Sequence, residues 1–320
     1  TTVPVPEVAR NPRVLLDTVR SVFPLDMIIG PSGYGMPVTP IKDIGERELT
    51  MMVPDDRSIP LYEGIRMVVR LMQREGFPLY FTPGVIHLPT VPAYRKANRM
   101  DMGTADKVCC TALALRDQAE LYRIEYRETS FILAEIGYAF NAVIAVRGGK
   151  VVDGRGGTSG GPGFITTGNM DSELAVRLGK FPGVVLYSGG AKDMSGEDLT
   201  PEELAHNSGR YADAWNCFWR VSPRGWRRCW LAWRSRGRFC CRGGSPEFLR
   251  LLRHWRPGWP GSGRCVGWRE EPALPRRRRR GHISSGRGYW AADIRVSLTL
   301  WSLREPAARC MIILTSKGLR

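Results

Sequence analysis

The sequence lacks several features that would assign it to a class at once. Before Trp215 it contains no tryptophan and only two cysteines, the adjacent Cys109 and Cys110, so no disulfide framework is expected there. No stretch approaches the roughly 20 apolar residues of a membrane span, and the N-terminus has no basic segment followed by a long apolar core. These absences favour a cytoplasmic protein. A Walker-type phosphate loop is excluded, because no G-x-x-x-x-G-K-[ST] motif occurs.

Negative charge is scarce in the last third of the chain. Residues 1–214 carry 23 Lys and Arg against 26 Asp and Glu, whereas residues 215–320 carry 24 against 5. All ten tryptophans and six of the eight cysteines lie in this second part. An Arg- and Trp-rich tail is typical of nucleic-acid binding, since Arg pairs with phosphate and Trp stacks on bases. Its cysteines, however, form no C-x-x-C pair and no zinc-finger spacing.

The genetic code offers another interpretation of residues 215–320. In GC-rich coding sequence, leucine and valine codons read one base late begin with TG and give Cys or Trp, and glutamate codons give Arg or Ser. A Leu-, Val- and Glu-rich helical region would then become a region of this composition. We therefore interpret the tail as out-of-frame translation without a native fold, with a genuine basic, nucleic-acid-binding extension as the alternative.

Residues 1–127 alternate helical and strand patterns. "RVLLDTVRSVF" and "LYEGIRMVVRLMQREG" have helical spacing of apolar residues, and "LDMIIG" and "FPLYF" are short apolar strands. The longest predicted helix runs from Thr104, a suitable N-cap, to Tyr122. This pattern predicts an α/β layer with a mainly parallel sheet, ending in a helix that connects to the next domain.

Residues 128–214 begin differently. "TSFILAEIG", "NAVIAV" and "KVVDG" are three apolar strands separated by glycine turns, which predicts an antiparallel meander. The glycine-dense "GRGGTSGGPG" follows, and a further strand is predicted at "GVVLYSGG". Backbone N–H groups of the glycine-dense loop can cradle an anion, although a tightly turning loop without a ligand gives the same composition.

Several polar residues stand out within these patterns. Glu135 lies inside an otherwise apolar strand, where a lone carboxylate is costly to bury without a partner. Thr104, Asp106 and Lys107 open the long helix. Asp106 suits the positive helix end but Lys107 opposes it, which makes sense beside a bound anion; the alternative is an ordinary helix start with a solvated lysine. Asp101 is a weaker candidate for a metal-binding carboxylate.

Two further candidates precede the long helix. Ser32, Gly33 and Tyr34 follow the carboxyl end of a strand, where ligand crevices form in α/β folds, so they are candidates for binding a phosphoryl acceptor. A plain connecting loop is the alternative. His87 is the only histidine before His206 and is a candidate acid–base or transition-state donor, or else a structural histidine.

Four blocks of the sequence resemble a known family. "PLDMIIGPSGYGMPVTP", "PGVIHLPTVPAYRKANRMDMGTADK", "ETSFILAEIGYAFNAVIAVRGGKVVDGRGGTSGGPG" and "LYSGGAKD" are similar to a mostly archaeal, butyrate-kinase-like family, over roughly residues 7–206. That family is placed in the acetate and sugar kinase, heat-shock chaperone and actin superfamily. The resemblance implies two ribonuclease-H-like domains around a nucleotide cleft, and an ATP- and Mg²⁺-dependent phosphotransferase acting on a small carboxylate.

The resemblance also implies roles for residues. Glu135 and Gly137 stand at the expected second phosphate loop. The first phosphate loop is expected before residue 1 and an adenosine-binding turn beyond residue 215, so the chain is incomplete at both ends and is expected to be inactive. A non-catalytic nucleotide-binding or sensor protein is the alternative. The expected residues are catalytic Glu135, Asp106 and His87; cofactor-binding Gly137, Gly156, Gly157, Thr158, Gly160, Thr104, Lys107, Gly189 and Gly190; substrate-binding Ser32, Gly33 and Tyr34; and Asp101 for metal.

The frame interpretation predicts a specific DNA sequence. Reading the gene one frame over near codon 215 should give a Leu-, Val- and Glu-rich stretch with helical periodicity, because those codons yield Trp, Cys and Arg when misread. Sequencing this region of the gene tests the prediction. Early stop codons in both other frames would show that the tail is an authentic extension.

Overall fold

The computed structural model describes residues 11–56 and 60–218, together with the backbone of four strands in the last third of the chain. In the first unit the apolar face of helix α1 packs into the core through Leu15, Leu16 and Val19, as its helical spacing predicts. The elements of this unit are α1 Arg13–Arg20, β1 Leu25–Pro31, β2 Thr39–Pro40, α2 Glu46–Met52, α3 Pro60–Arg74, β3 Leu79–Thr82, α4 Ala93–Lys96 and α5 Ala105–Tyr122, with 3₁₀ turns at Ile41–Asp43, Val85–His87 and Tyr126–Glu128.

The first sheet has the order β2-β3-β1-β10-β9, where β9 is Thr299–Leu300 and β10 is Met311–Ser316. Only β1 and β3 pair in parallel; the other described pairs are antiparallel. The prediction of a mainly parallel sheet is therefore wrong. Parallel neighbours in a sheet require a crossover connection. The described residues of this unit contain one such connection, which runs from β1 through α2 and α3 to β3.

The second unit begins with the predicted meander, which the structure confirms. β4 Phe131–Ile136, β5 Asn141–Arg147 and β6 Lys150–Gly156 pair antiparallel in sequence order. β7 Arg238–Arg242 and β8 Cys265–Gly267 continue the sheet in parallel on the other side of β4, giving the order β6-β5-β4-β7-β8. This mixed α/β fold agrees with the ribonuclease-H-like domain expected from the resemblance.

The two faces of β4 are both buried, and their alternation decides where its one carboxylate lies. Phe131 and Leu133 pack with Val85 and Met102 on one face, and the side chains of the other face form a separate apolar cluster with those of β5 and β6. Side chains two residues apart share a face of a strand, so Glu135 follows Phe131 and Leu133 onto the face that α5 covers.

Short helices and turns follow the meander: a 3₁₀ turn at Gly157–Ser159, α6 Ser172–Leu178, a 3₁₀ helix at Gly183–Tyr187, α7 Ala191–Ser195 and α8 Pro201–His206. The strand predicted at "GVVLYSGG" is wrong, because this segment forms the 3₁₀ helix. Val185 N–H donates to Pro182 O and Ser188 N–H to Val185 O, so local turns take the backbone groups that a strand would pair. A short apolar run has no period that separates the two outcomes.

Packing continues past the point where the composition changes. Residues 212–218 are helical, and Trp215 and Phe218 are buried with Phe164 and Leu204 in one apolar cluster. After residue 218 the structure describes only the backbone of β7 to β10. The interpretation that residues 219–320 have no native fold otherwise lies outside the described residues. Among the described residues, none of the helices has the length and apolarity to cross a bilayer.

Candidate functional site

The site forms where the first turn of α5 meets the buried face of β4. Thr104 is the N-cap of α5, and Asp106 and Lys107 lie in its first turn. Strand alternation brings Glu135 to the same place, although it is about 30 positions away in the sequence. Lys107 Nζ lies 2.7 Å from Asp106 Oδ2 and 2.9 Å from Glu135 Oε2, so one ammonium pairs with two carboxylates. We call Asp106, Lys107 and Glu135 the ion cluster.

The ion cluster is buried. The side chains of Lys107 and Glu135 are 11% and 5% exposed, and that of Asp106 is 21% exposed. Burial lowers the pKa of Lys107, but Asp106 and Glu135 raise it by more, so its pKa lies above the ordinary value. The sequence suggested that Lys107 needs an external anion at this positive helix end. In the structure the two carboxylates of the protein supply that negative charge.

Asp106 is held in its charged form by its neighbours. Burial raises the pKa of Asp106, but the charge and hydrogen bond of Lys107 together with the hydrogen bond donated by the Thr104 hydroxyl lower it by more. The net pKa therefore lies below its ordinary value. Its place in the first turn of a helix also favours a negative charge.

Asp101 lies under the loop that follows β6. Its carboxylate is buried and accepts a hydrogen bond of 2.7 Å from Gly103 N–H. A Cβ on Gly157, whose φ is +54°, would collide with Asp101 Oδ2, so only glycine fits there. Burial raises the pKa of Asp101 to about 7; the Gly103 hydrogen bond lowers it and Asp106 raises it. Asp101 is thus buried by protein groups rather than presented to solvent.

The other glycines of this loop also approach the protein's own chain closely. A Cβ on Gly154 would collide with Met102 O, and one on Gly156 would lie 2.9 Å from Ala142 Cβ. A Cβ on Gly160 would lie 3.1 Å from Asn141 O. Close backbone packing therefore accounts for these glycines. Contact of this loop with an anion stays a prediction, and so does the role of Thr158 in its 3₁₀ turn.

The loop after β1 reaches the site from the other side. Ala105 N–H, at the start of α5, donates to Gly33 O at 3.0 Å. Ser32 is fully buried and its hydroxyl donates to Thr82 O. Tyr34 lies near Asp101; burial raises the pKa of Tyr34 to about 12, with a smaller lowering by its hydrogen bond to Tyr62. The structure thus brings the predicted acceptor residues next to the ion cluster.

His87 and the Gly189–Gly190 pair lie in other surroundings. His87 lies beside Gly35, and within the part of the chain that the structure describes its Nδ1 has no hydrogen-bond partner. Burial and then Lys96 lower its pKa. Gly189 pairs with Thr166 in an isolated β-bridge. A Cβ on Gly190 would press on the backbone of residues 164–166. Their catalytic and cofactor roles stay predictions.

The turn after β4 adjoins Glu135. Gly137 N–H donates to Phe140 O at 3.1 Å, and a Cβ on Gly137 would lie 2.5 Å from that oxygen and 3.8 Å from Glu135 Oε2. Within residues 11–56 and 60–218 no three His, Cys, Asp or Glu side chains are grouped to hold a metal ion. Sequence reasoning missed Tyr62 and Tyr187, which bond each other beside Tyr34, and Asp56, which binds Gly183 N–H. Tyr187 stood in the block "LYSGGAKD" and Tyr62 in the helical pattern "LYEGIRMVVRLMQREG", but neither was singled out.

Solved structures show the class of fold. The chain resembles a propionate kinase from Francisella tularensis subsp. tularensis SCHU S4, with a TM-score of 0.52 and 14% identity over 73% of this chain and 67% of that one. It also resembles the acetate kinase of Entamoeba histolytica, with a TM-score of 0.50 and 10% identity over 75% and 69%. At these identities the likeness establishes an acetate-kinase-type fold and not an activity.

The family follows from the sequence match. A family model described as "Protein of unknown function (DUF1464)" matches residues 1–222, and the chain belongs to that family. The match ends four residues beyond Phe218, the last residue of the continuous described chain. Among curated proteins no relative was found.

Asp101 makes stability depend on pH. Its pKa of about 7 in the folded chain lies above the ordinary value of 3.8, so the folded state binds more protons between these values. Its contribution to the free energy of unfolding is therefore highest at low pH and falls as pH rises to 7. Asp101→Asn removes this loss, and its stability relative to wild type should rise by about 4 kcal/mol between pH 4 and pH 8.

Urea unfolding of both proteins at the two pH values measures this difference. Asp213→Asn is the control, because Asp213 is exposed and the substitution leaves the buried carboxyl group of Asp101 in place. If Asp101→Asn has the same effect at pH 4 and pH 8, the carboxyl group of Asp101 does not titrate as its burial requires.

Proposed function

We propose that this protein is an ATP- and Mg²⁺-dependent phosphotransferase that transfers a phosphoryl group to a small carboxylate of the acetate to butyrate size. The acetate-kinase-type fold supports the reaction class, since the similar solved structures are an acetate kinase and a propionate kinase. The preference for butyrate and the cytoplasmic location are part of this proposal.

The observation that carries the proposal is the ion cluster between α5 and β4. Two carboxylates share one ammonium there, so the cluster keeps one net negative charge while it is largely buried. Such a charge is costly to keep for stability alone, and buried charged groups with shifted pKa values are concentrated at functional sites. The predicted acceptor residues Ser32, Gly33 and Tyr34 lie next to it.

The cluster suits a bound Mg²⁺–nucleotide. Glu135 Oε2 forms an ion pair with Lys107 Nζ at 2.9 Å but accepts no hydrogen bond from the described residues, so it retains acceptor capacity. The absence of a Cβ on Gly137 leaves space beside that oxygen. Asp106 and Glu135 are the oxygen ligands that Mg²⁺ and its bound water prefer. Mg²⁺–ATP would supply the phosphoryl group and neutralise its charge.

The protein's own residues hold the reacting groups in position. Lys107 fixes the two carboxylates at one place, so they need no reorganisation when a ligand binds. Gly137 keeps the turn close to Glu135, and the buried Ser32 hydroxyl fixes the loop of Tyr34 against β3. Holding both reactants in one orientation accounts for much of the rate of such a reaction.

A non-catalytic nucleotide sensor is the second candidate, and one observation favours it. Within the described residues, the lysine of the ion cluster is already paired with two carboxylates of the protein. It therefore offers no uncompensated positive charge to a transferring phosphoryl group. Nucleotide binding without turnover would distinguish this sensor from the enzyme. Nucleic-acid binding would depend on the basic tail, most of which lies outside the described residues.

The test is acyl phosphate formation from ATP and acetate, propionate or butyrate. We expect turnover only in a chain that carries both of the nucleotide-binding segments that the family resemblance implies. In the active chain Glu135→Gln should lower kcat by about a hundred-fold, because the amide keeps the shape but loses the charge that pairs with Lys107 and the metal. Its unfolding temperature should also fall, because Lys107 loses one of its two buried partners, but the variant should remain folded under the assay conditions.

Glu173→Gln is the matched control, since Glu173 is exposed on α6 and pairs only with Arg177 among the ion pairs described. It should retain full activity. Nucleotide binding without acyl phosphate formation by such a chain would favour the sensor. Undiminished turnover by Glu135→Gln would remove Glu135 from the mechanism.

A further inference from the structure

The 3₁₀ helix at Gly183–Tyr187 is weakly anchored for an internal element. None of its residues is buried, and Val184 is 49% exposed. Thr167 N–H donates to Leu186 O at 3.3 Å, and Tyr187 packs half-buried against the apolar cluster of Phe164. Glycines with left-handed φ stand on either side, Gly179 at +66° and Gly189 at +76°. An element with little buried apolar surface opens at low free-energy cost, and such glycines allow its ends to rotate. We call residues 183–187 the strap.

Polar contacts fasten both ends of the strap to the first unit. Gly183 N–H donates to Asp56 Oδ2 at 2.8 Å. At the other end the Tyr187 phenol is hydrogen-bonded to the phenol of Tyr62 on α3. Tyr62 is also hydrogen-bonded to Tyr34, which lies near Asp101. The three phenols thus form a chain from the strap to the edge of the ion cluster.

The strap also contacts the Phe140 turn of the second unit, which lies beside the ion cluster. The ring of Tyr187 packs edge-on against Phe140, with 5.4 Å between centroids. Phe140 ends the turn that starts at Gly137, next to Glu135. The strap therefore spans from the loop of Tyr34 to the turn of Phe140, which flank the ion cluster on two sides.

We propose that the strap is a latch that opens and closes access to the ion cluster, with Asp56 and Tyr62 as its two catches. A buried charged site must open to admit a polar ligand, and short segments with few contacts perform such gating. Tyr187 holds both flanks at once, so releasing it frees the Phe140 turn from the Tyr34 loop. The latch does not depend on which ligand the site takes.

Substitutions that remove one phenol hydrogen bond distinguish the loss of a catch from a general loss of stability. Tyr187→Phe removes the bond between strap and first unit and keeps the ring against Phe140. Tyr34→Phe removes a bond of the same kind within the first unit and leaves the catch intact. A net hydrogen bond contributes about 0.5–1.5 kcal/mol, so Tyr187→Phe should speed opening of the strap by about 2- to 12-fold.

Amide hydrogen exchange of the full chain measures strap opening. We expect faster exchange in residues 183–188 for Tyr187→Phe, and also for Asp56→Ala, which releases the other catch. The meander of β4 to β6 should exchange as in wild type. Tyr34→Phe and Tyr211→Phe, which removes a phenol bond to Glu197 away from the strap, should leave residues 183–188 unchanged.

The latch is overturned if Tyr187→Phe and Asp56→Ala leave exchange in residues 183–188 as in wild type. It is also overturned if Tyr34→Phe accelerates this exchange as much as Tyr187→Phe does, or if the acceleration extends evenly through the meander. In those cases the segment opens only together with the rest of the second unit.

Discussion

The pairing of Lys107 with Asp106 and Glu135 is the interaction on which the site depends. A buried charge must be paired, since an isolated one costs several kcal/mol. Asp106 and Lys107 are fixed at the start of α5, and Glu135 is fixed by the alternation of β4, so pairing is possible in one placement of the helix on the sheet. The ion cluster thus sets the position of the connecting helix, and through Gly33 O and Ala105 N–H, the position of the loop after β1.

The glycines near the contact of α5 with β4 mainly allow one backbone segment to pack closely on another. The segment from Asp101 to Gly103 lies against the loop after β6, and side chains at Gly154 or Gly157 would force the two apart. A dense glycine composition therefore arises here from one backbone approaching another, although the same composition is typical of phosphate loops. The close fit excludes water from Asp101 and is the cause of its raised pKa.

The sequence predicted those elements in which apolar residues recur with a clear period. It also singled out the charged residues that do not fit their element. The helix from Thr104 to Tyr122 and the three-stranded meander are confirmed, because their apolar patterns are long. The apolar run at residues 184–186 has no period, and the strand predicted there is wrong. Glu135 and Lys107 were each flagged as out of place, but that they compensate each other depends on how helix and sheet pack. Tyr62 and Tyr187 gave no such signal, since tyrosine is unremarkable in an amphipathic helix or an apolar segment.

The most direct test of the account is a double-mutant cycle on the ion pair between helix and sheet. Urea unfolding would be measured for wild type, Lys107→Met, Glu135→Gln and the double variant. We expect Lys107→Met to cost about 3–5 kcal/mol, because it leaves two carboxylates without their cation, and a coupling of about 1–3 kcal/mol, so the double variant loses less than the sum. Additive losses, or a Lys107→Met variant as stable as wild type, would contradict the claim that this pair holds α5 on β4.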